Sequence, residues 1–160
     1  MIILVSDTSV LIDLERGGLL EHAFSCDLTM VVPDLLYARE LESENGPLLR
    51  KLGLGVVALH PDEVDFAQQR PGLSLPDCFA LSCARRQDHA LVSGDKLLRT
   101  EAQARDCTVF GLLWILDQME LAGKAGPAML HEGLSRIWNH PRRRLPKGEV
   151  MERLQRWAPA

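Results

Sequence analysis

The segment MIILVSDTSVLIDL (Met1–Leu14) decides how the rest of the chain reads. Its first five residues, Met1 to Val5, are apolar. They run into Ser6-Asp7-Thr8-Ser9, and a second apolar run, Val10 to Ile12, follows at once. A short apolar run closed by capping residues reads as a buried strand, and what comes next has the spacing of a helix. Thr8 or Ser9 is the expected helix cap. That leaves Asp7 at the junction, where it either shares the capping or holds something. A strand that passes directly into a helix is the unit of a parallel α/β sheet, and such sheets bind ligands beyond the carboxyl ends of their strands.

The same unit recurs downstream. Strand-like runs lie at Ile2–Val5, Leu28–Val32, Val56–Leu59, Ala90–Val92 and Thr108–Phe110. Helical patterns lie between them: Val10–Glu15, a helix from Pro33 through Leu41, Asp62–Gln69, Pro76–Arg86 and Lys96–Arg105. This alternation predicts a mostly parallel central sheet flanked by helices. After Phe110 only helical patterns follow, at Gly111–Ala122, Ala128–Trp138 and Gly148–Trp157, the last two separated by HPRRRLPKGE (His140–Glu149). The expected organisation is an α/β domain over 1–123 and a helical extension over 124–160.

Composition narrows the class. The chain has 160 residues, 46% of them hydrophobic, which is enough for a real core. The longest apolar candidate, Val109–Leu116, is far too short to span a bilayer, and Met1–Val5 has no charged flank of a signal peptide. Cys26, Cys78, Cys83 and Cys107 show no paired spacing and are expected as reduced thiols of a cytoplasmic protein. The net charge of -4 hides an asymmetry: residues 1–123 carry ten Lys and Arg against nineteen Asp and Glu, whereas residues 124–160 carry eight against three. An acidic body with a basic tail suggests a carboxylate-rich site and a separate anion- or partner-facing segment.

Four carboxylates stand out by position. Asp7 follows the first strand, Glu40 lies late in the helix from Pro33, Asp77 opens the helix of SLPDCFALSCARR, and Asp95 follows the fourth strand in ALVSGDKLLRT. Each has an ordinary structural explanation, since an acid at a helix N-terminus is favoured by about 0.3–1 kcal/mol. Together they sit at strand ends and helix starts that a parallel sheet brings into one cleft. Two carboxylates about 5 Å apart repel by roughly 3 kcal/mol at an effective dielectric near 20. Such a cleft therefore calls for a cation. An all-oxygen donor set selects Mg²⁺ or Mn²⁺ over Zn²⁺, and that chemistry suits phosphodiester hydrolysis. Asp13, Asp34, Glu42, Glu44 and Asp117 are expected on the surface.

These residues resemble the PIN domain family of metal-dependent ribonucleases. The resemblance is carried by DTSVLIDL (Asp7–Leu14), VPDLLYAREL (Val32–Leu41), LPDCFALSCARRQDHALVSGDKLLRTEA (Leu75–Ala102) and CTVFGLLWIL (Cys107–Leu116), in family order over about the first 120 residues. It implies a Rossmann-like parallel sheet, a metal-binding acidic cluster of Asp7, Glu40, Asp77 and Asp95, and supporting hydroxyls at Ser9 and Ser93. Many relatives carry Thr at the position of Ser93. Small residues Ala80, Cys83 and Ala84 would let the helix bearing Asp77 lie close to the sheet. The chain is similar to the small single-domain members, many of them VapC-type toxins of toxin–antitoxin pairs. The expected partners are an RNA substrate, an antitoxin protein and a second copy in a homodimer, with no membrane.

The expected activity is endoribonucleolytic, with Lys96, Arg99, Arg85 and Arg86 as either phosphate contacts or members of solvated helix faces, and the Arg142–Arg144 run as a weaker candidate for RNA or a partner. Leu134, Ile137 and Trp138 either serve an interface or pack the tail. Two rival classes fit less well. One is a PIN-like binding module acting through a partner without turnover. The other is a phosphoacceptor domain, which would need a mid-chain Asp nucleophile and a Lys after a late strand, whereas Lys96 directly follows Asp95 at a helix start.

Overall fold

A computed structural model describes residues 1–69 and 72–160. β1 (Ile3–Ser6) passes through Asp7 into α1 (Thr8–Arg16), and a short α2 (Leu20–Phe24) leads to β2 (Thr29–Pro33). Next come α3 (Asp34–Leu36), continued by a π-helical turn Tyr37–Leu41, then α4 (Gly46–Leu52) and β3 (Gly55–Val57). α5 (Pro61–Gln68) and α6 (Leu75–Ala84) precede β4 (His89–Val92), which is followed by α7 (Lys96–Ala104), β5 (Thr108–Phe110) and α8 (Leu112–Leu121). α9 (Pro127–Trp138) and α10 (Lys147–Trp157) complete the chain.

The five strands form one parallel sheet in the order β3-β2-β1-β4-β5. The chain builds outward from β1 through β2 to β3, returns to the other side of β1 for β4, and ends at β5. The order therefore reverses between β1 and β4, and the crevice beyond the carboxyl ends of those two strands is where a parallel sheet offers a binding site. In register, Ser6 stands beside Val92, and the Asp7 amide donates to the Val92 carbonyl at 3.0 Å.

The strands and most helices lie within a residue or two of where the sequence puts them. α2 and α4 were not expected, and the single helix expected over 33–41 divides into one turn of α and one of π. The cap of α1 is Asp7, not Thr8 or Ser9: its carboxylate accepts from the Val10 amide at 3.0 Å and from the Ser9 hydroxyl at 3.1 Å.

α6 is buried along its length from Cys78 to Ala84. Ala80, Cys83 and Ala84 are at most 2% exposed, so small side chains set the close approach of α6 to the sheet. Its outer end is tied to α5 by Arg86, which makes two bonds of 2.7 and 2.8 Å to the Glu63 carboxylate and one of 2.7 Å to the Ala58 carbonyl. The cysteines are free thiols, and burial pushes Cys83 up to about 11. Among the described residues no helix is long and apolar enough to cross a membrane.

The C-terminal helices share the main core. Leu130, Leu134 and Ile137 of α9 and Val150 and Trp157 of α10 are essentially inaccessible and join the same apolar cluster as the strands. Leu134 and Ile137 thus pack the tail, while Trp138 stays half-exposed. Asp117 of α8, expected on the surface, is the anchor for α10: Arg153 grips it at 2.7 and 2.9 Å and Arg156 at 3.0 Å. Asp34 is also half-buried, accepting from the Leu35 amide.

α9 crosses the loop after α1 at very short range. A Cβ built on Gly133 would stand 2.6 Å from Leu19 Cδ1 and 2.9 Å from the Gly17 carbonyl oxygen. Backbone on one side and a packed leucine on the other cannot both yield. Gly133→Ala is therefore expected to lower stability by about 1–3 kcal/mol, seen as a lower urea midpoint at unchanged slope.

Candidate active site

The four predicted carboxylates line one cavity of about 480 Å³ at the β1/β4 switch point. Ser9, Thr8, Ser74 and Arg144 complete its polar wall. Asp7 forms the floor and is 2% exposed. One carboxylate oxygen takes the Val10 amide and the Ser9 hydroxyl, and the other takes the Ser93 hydroxyl. Ser93, fully buried, in turn accepts from the Asp95 amide at 3.0 Å. A single hydroxyl therefore couples the residue after β1 to the residue that starts α7.

Glu40 reaches the cavity from the π-helical turn. The wider turn carries an exposed Glu40 toward α1, where it accepts from the Thr8 hydroxyl at 2.6 Å. Asp77 enters from the first turn of α6, held by the Ser74 cap, whose hydroxyl accepts from the Asp77 amide at 3.2 Å. Asp95 caps α7, accepting from the Leu98 amide at 2.9 Å.

Burial, reinforced by like charge, sets the acidities of Asp77 and Asp7. Burial pushes Asp77 up to about 6, and the charges of Asp7, Asp95 and Glu40 add to the shift while a Ser74 hydrogen bond opposes it. Burial also raises Asp7, against the hydrogen bonds from Ser93, Val10 and Ser9. A carboxyl with a raised native pKa binds its proton more tightly folded than unfolded. Its stabilising contribution is present below the ordinary value of 3.8 and disappears as pH rises to about 6. Asp77→Asn is thus expected to be more stable than the parent at pH 8, with a smaller gain at pH 5, as measured by urea unfolding at both values.

The structure brings in one member of the Arg142–Arg144 run and one acid that the sequence puts on the surface. Arg144, from the loop between α9 and α10, places its guanidinium 2.8 Å from the Asp95 carboxylate. Asp13 belongs to the neighbourhood as well and is not a surface residue. It lines an adjoining cavity of about 200 Å³ with Ser9, Ile12, Arg16 and Arg144. Burial raises its carboxyl, while Arg16 and Arg144 lower it. Ser9, Ile12, Asp13 and Arg16 recur at helical spacing, so one face of α1 carried a legible signal. Arg144 had only the Arg142–Arg144 run to mark it.

The four basic candidates separate. Lys96 is exposed at the start of α7 and lines a large neighbouring cavity. Arg99 lines the same cavity, but its guanidinium is committed to the Ser93 and Phe110 carbonyls at 2.6 and 3.1 Å, bracing the ends of β4 and β5. Arg85 stacks over the Phe66 ring at 3.8 Å and Arg86 is taken by Glu63. Neither of these two lines the acidic cavity, because the C-terminal end of α6 points away from the strand ends that form it.

The comparisons with known proteins bear on this geometry. The family model described as DUF3368: PIN domain matches residues 3–158. The chain belongs to the PIN domain family. The match runs through α9 and α10, so the basic C-terminal helices lie within it. A PilT N-terminus domain protein from the hyperthermophilic archaeon Sulfolobus solfataricus P2 has a similar solved structure, with TM-score 0.51 and 14% identity, covering 75% of this chain and 94% of that one. At that identity the likeness concerns the fold. No curated protein matches the sequence.

PIN domains are in general nucleases that use divalent metal ions. The donor set here suits a hard divalent cation: four carboxylates with flanking hydroxyls and no imidazole or thiolate among the lining residues described. Among the described residues no three His, Cys, Asp or Glu groups stand together closely enough to hold an ion as the side chains lie. Asp95 is turned to Arg144 and Glu40 to Thr8.

Proposed function

We propose that this PIN domain is an endoribonuclease that hydrolyses RNA phosphodiester bonds with Mg²⁺ or Mn²⁺, and that it acts in the cytoplasm as the toxin of a type II toxin–antitoxin pair. The observation that carries this reading is the gathering of Asp7, Glu40, Asp77 and Asp95 around one cavity at the sheet's switch point. Asp7, Glu40, Asp77 and Asp95 would hold the ion, which when bound lowers the pKa of water and offsets charge on phosphate oxygens.

The chain's own residues have distinct tasks. Ser93 and Ser9 fix both oxygens of Asp7, so its orientation costs nothing at the moment of reaction. Thr8 does the same for Glu40. The Ser74 cap holds the first turn of α6 so that Asp77 faces the other three acids. Arg144 supplies a guanidinium at the mouth of the cavity, where a scissile phosphate would approach.

A binding-module reading without turnover finds support in one contact, the Arg144–Asp95 pair, because a resident guanidinium already neutralises one of the four acids. The test compares wild type with Asp77→Asn on a fluorescent single-stranded RNA, with Mn²⁺ or with EDTA. Cleavage by wild type alone, and only with the ion, supports the nuclease. Equal cleavage by both proteins would show that another nuclease is responsible. For the toxin role, induced wild type should arrest growth of a host lacking an antitoxin, and Asp77→Asn should not.

A further inference from the structure

Beside the acidic cavity lies a larger groove of about 980 Å³ between the end of β5, the start of α8 and the 139–146 loop. Aromatic rings line it. Phe110 and Trp114 are stacked with centroids 4.0 Å apart and planes 16° from parallel, and both are half-exposed. Trp138 lies across the groove with the Arg143 guanidinium 4.4 Å from its ring centre. Five Lys and Arg side chains line the groove against two carboxylates; Arg153 is spent on Asp117 and Arg144 on Asp95, which leaves Lys96, Arg99 and Arg143 against Glu149. Arg144 lines both this groove and the acidic cavity, so the two are continuous.

Phe110, Trp114 and Trp138 pack against the main core and still leave part of each ring bare toward the groove. Exposed aromatic faces alternating with cations are what unpaired nucleobases and their phosphates need: every base has a face to stack, and each phosphate needs a positive partner. A duplex would hide its base faces, and an acidic peptide would leave the rings without use.

We propose that this groove is the single-stranded RNA subsite of the enzyme: nucleotides flanking the scissile bond stack on the Phe110–Trp114 pair and on Trp138, Lys96 and Arg143 hold their phosphates, and Arg144 receives the phosphate passing into the acidic cavity. The inference rests on the nuclease reading for the direction of the strand, and binding alone tests it.

The test is a fluorescence titration of the full chain with single-stranded RNA in EDTA. The protein has three tryptophans, and Trp157 is 1% exposed, so quenching reports Trp114 and Trp138. Wild type should be quenched, and Trp114→Phe and Trp138→Phe should each remove part of the signal. Trp114→Ala and Trp138→Ala should weaken binding about 5- to 100-fold. Arg143→Ala, an exposed change that leaves the core intact, should reduce the slope of log affinity against log salt by about one. Unchanged affinity in both alanine variants together with an unchanged salt slope would overturn the subsite. So would equal quenching by duplex RNA, absence of RNA binding by wild type, or quenching by polyglutamate and not RNA, which would mark a protein site. RNA binding through the groove without cleavage in Mn²⁺ would sink the nuclease reading and leave the subsite standing. Cleavage that the groove variants perform like wild type would do the opposite.

Discussion

Asp7→Asn is expected to reduce RNA cleavage, measured as kcat/KM with Mn²⁺, by at least about a hundredfold, the scale of losing one preorganised charged group from a site. The fold should survive. Asparagine caps helices as well as aspartate does, so the Val10 amide keeps its acceptor. The Ser93 hydroxyl loses a charged acceptor, and the link from β1 through Ser93 to the Asp95 amide weakens. Burial raises the Asp7 carboxyl, so taking the charge away relieves a buried anion, and stability at pH 8 should hold or rise. Lost activity with unchanged or higher stability would separate a chemical role from a structural one. A variant that cleaves like the parent would remove Asp7 from the site.

Trp157→Ala is expected to have the largest effect on stability, about 3–5 kcal/mol by denaturant unfolding. The indole is 1% exposed and belongs to the main core, and its ring nitrogen donates to the Glu120 carboxylate at 2.6 Å. Truncation would leave a large void and cost Glu120 that donor. The neighbouring Arg156 also reaches Glu120 at 3.3 Å, so this carboxylate would not be orphaned. If α10 were merely an appendage, the loss would fall below about 1 kcal/mol.

Much of the fold was legible because its signals are local. Ile3–Ser6, Thr29–Pro33 and His89–Val92 are apolar runs with turn residues at their ends, and three of the four acids sit at the ends or starts of such elements. The π-helical turn was not legible. Nothing in YAREL distinguishes one extra residue per turn from an ordinary helix, and Tyr37 and Leu41 at its two ends are both buried. α4 begins at Gly46-Pro47, where turn chemistry hides a helix start. Asp13 pairs with Arg16 three residues on, at a spacing the sequence does show, whereas Asp117 is anchored by Arg153, thirty-six residues away, and spacing carries no trace of a tertiary ion pair. The same blindness made Arg85 and Arg86 look equivalent to Lys96.

The Arg144–Asp95 pair has a thermodynamic consequence. One carboxylate is offered to two cations, the guanidinium of the C-terminal loop and anything that enters the acidic cavity, so the two occupancies are linked. By reciprocity, whatever fraction of its affinity an incoming cation gives up to displace Arg144 is the same factor by which that cation loosens the loop. Arg143, one residue away, rests on Trp138. The loop thus joins the carboxylates, through two neighbouring arginines, to an indole that never touches them.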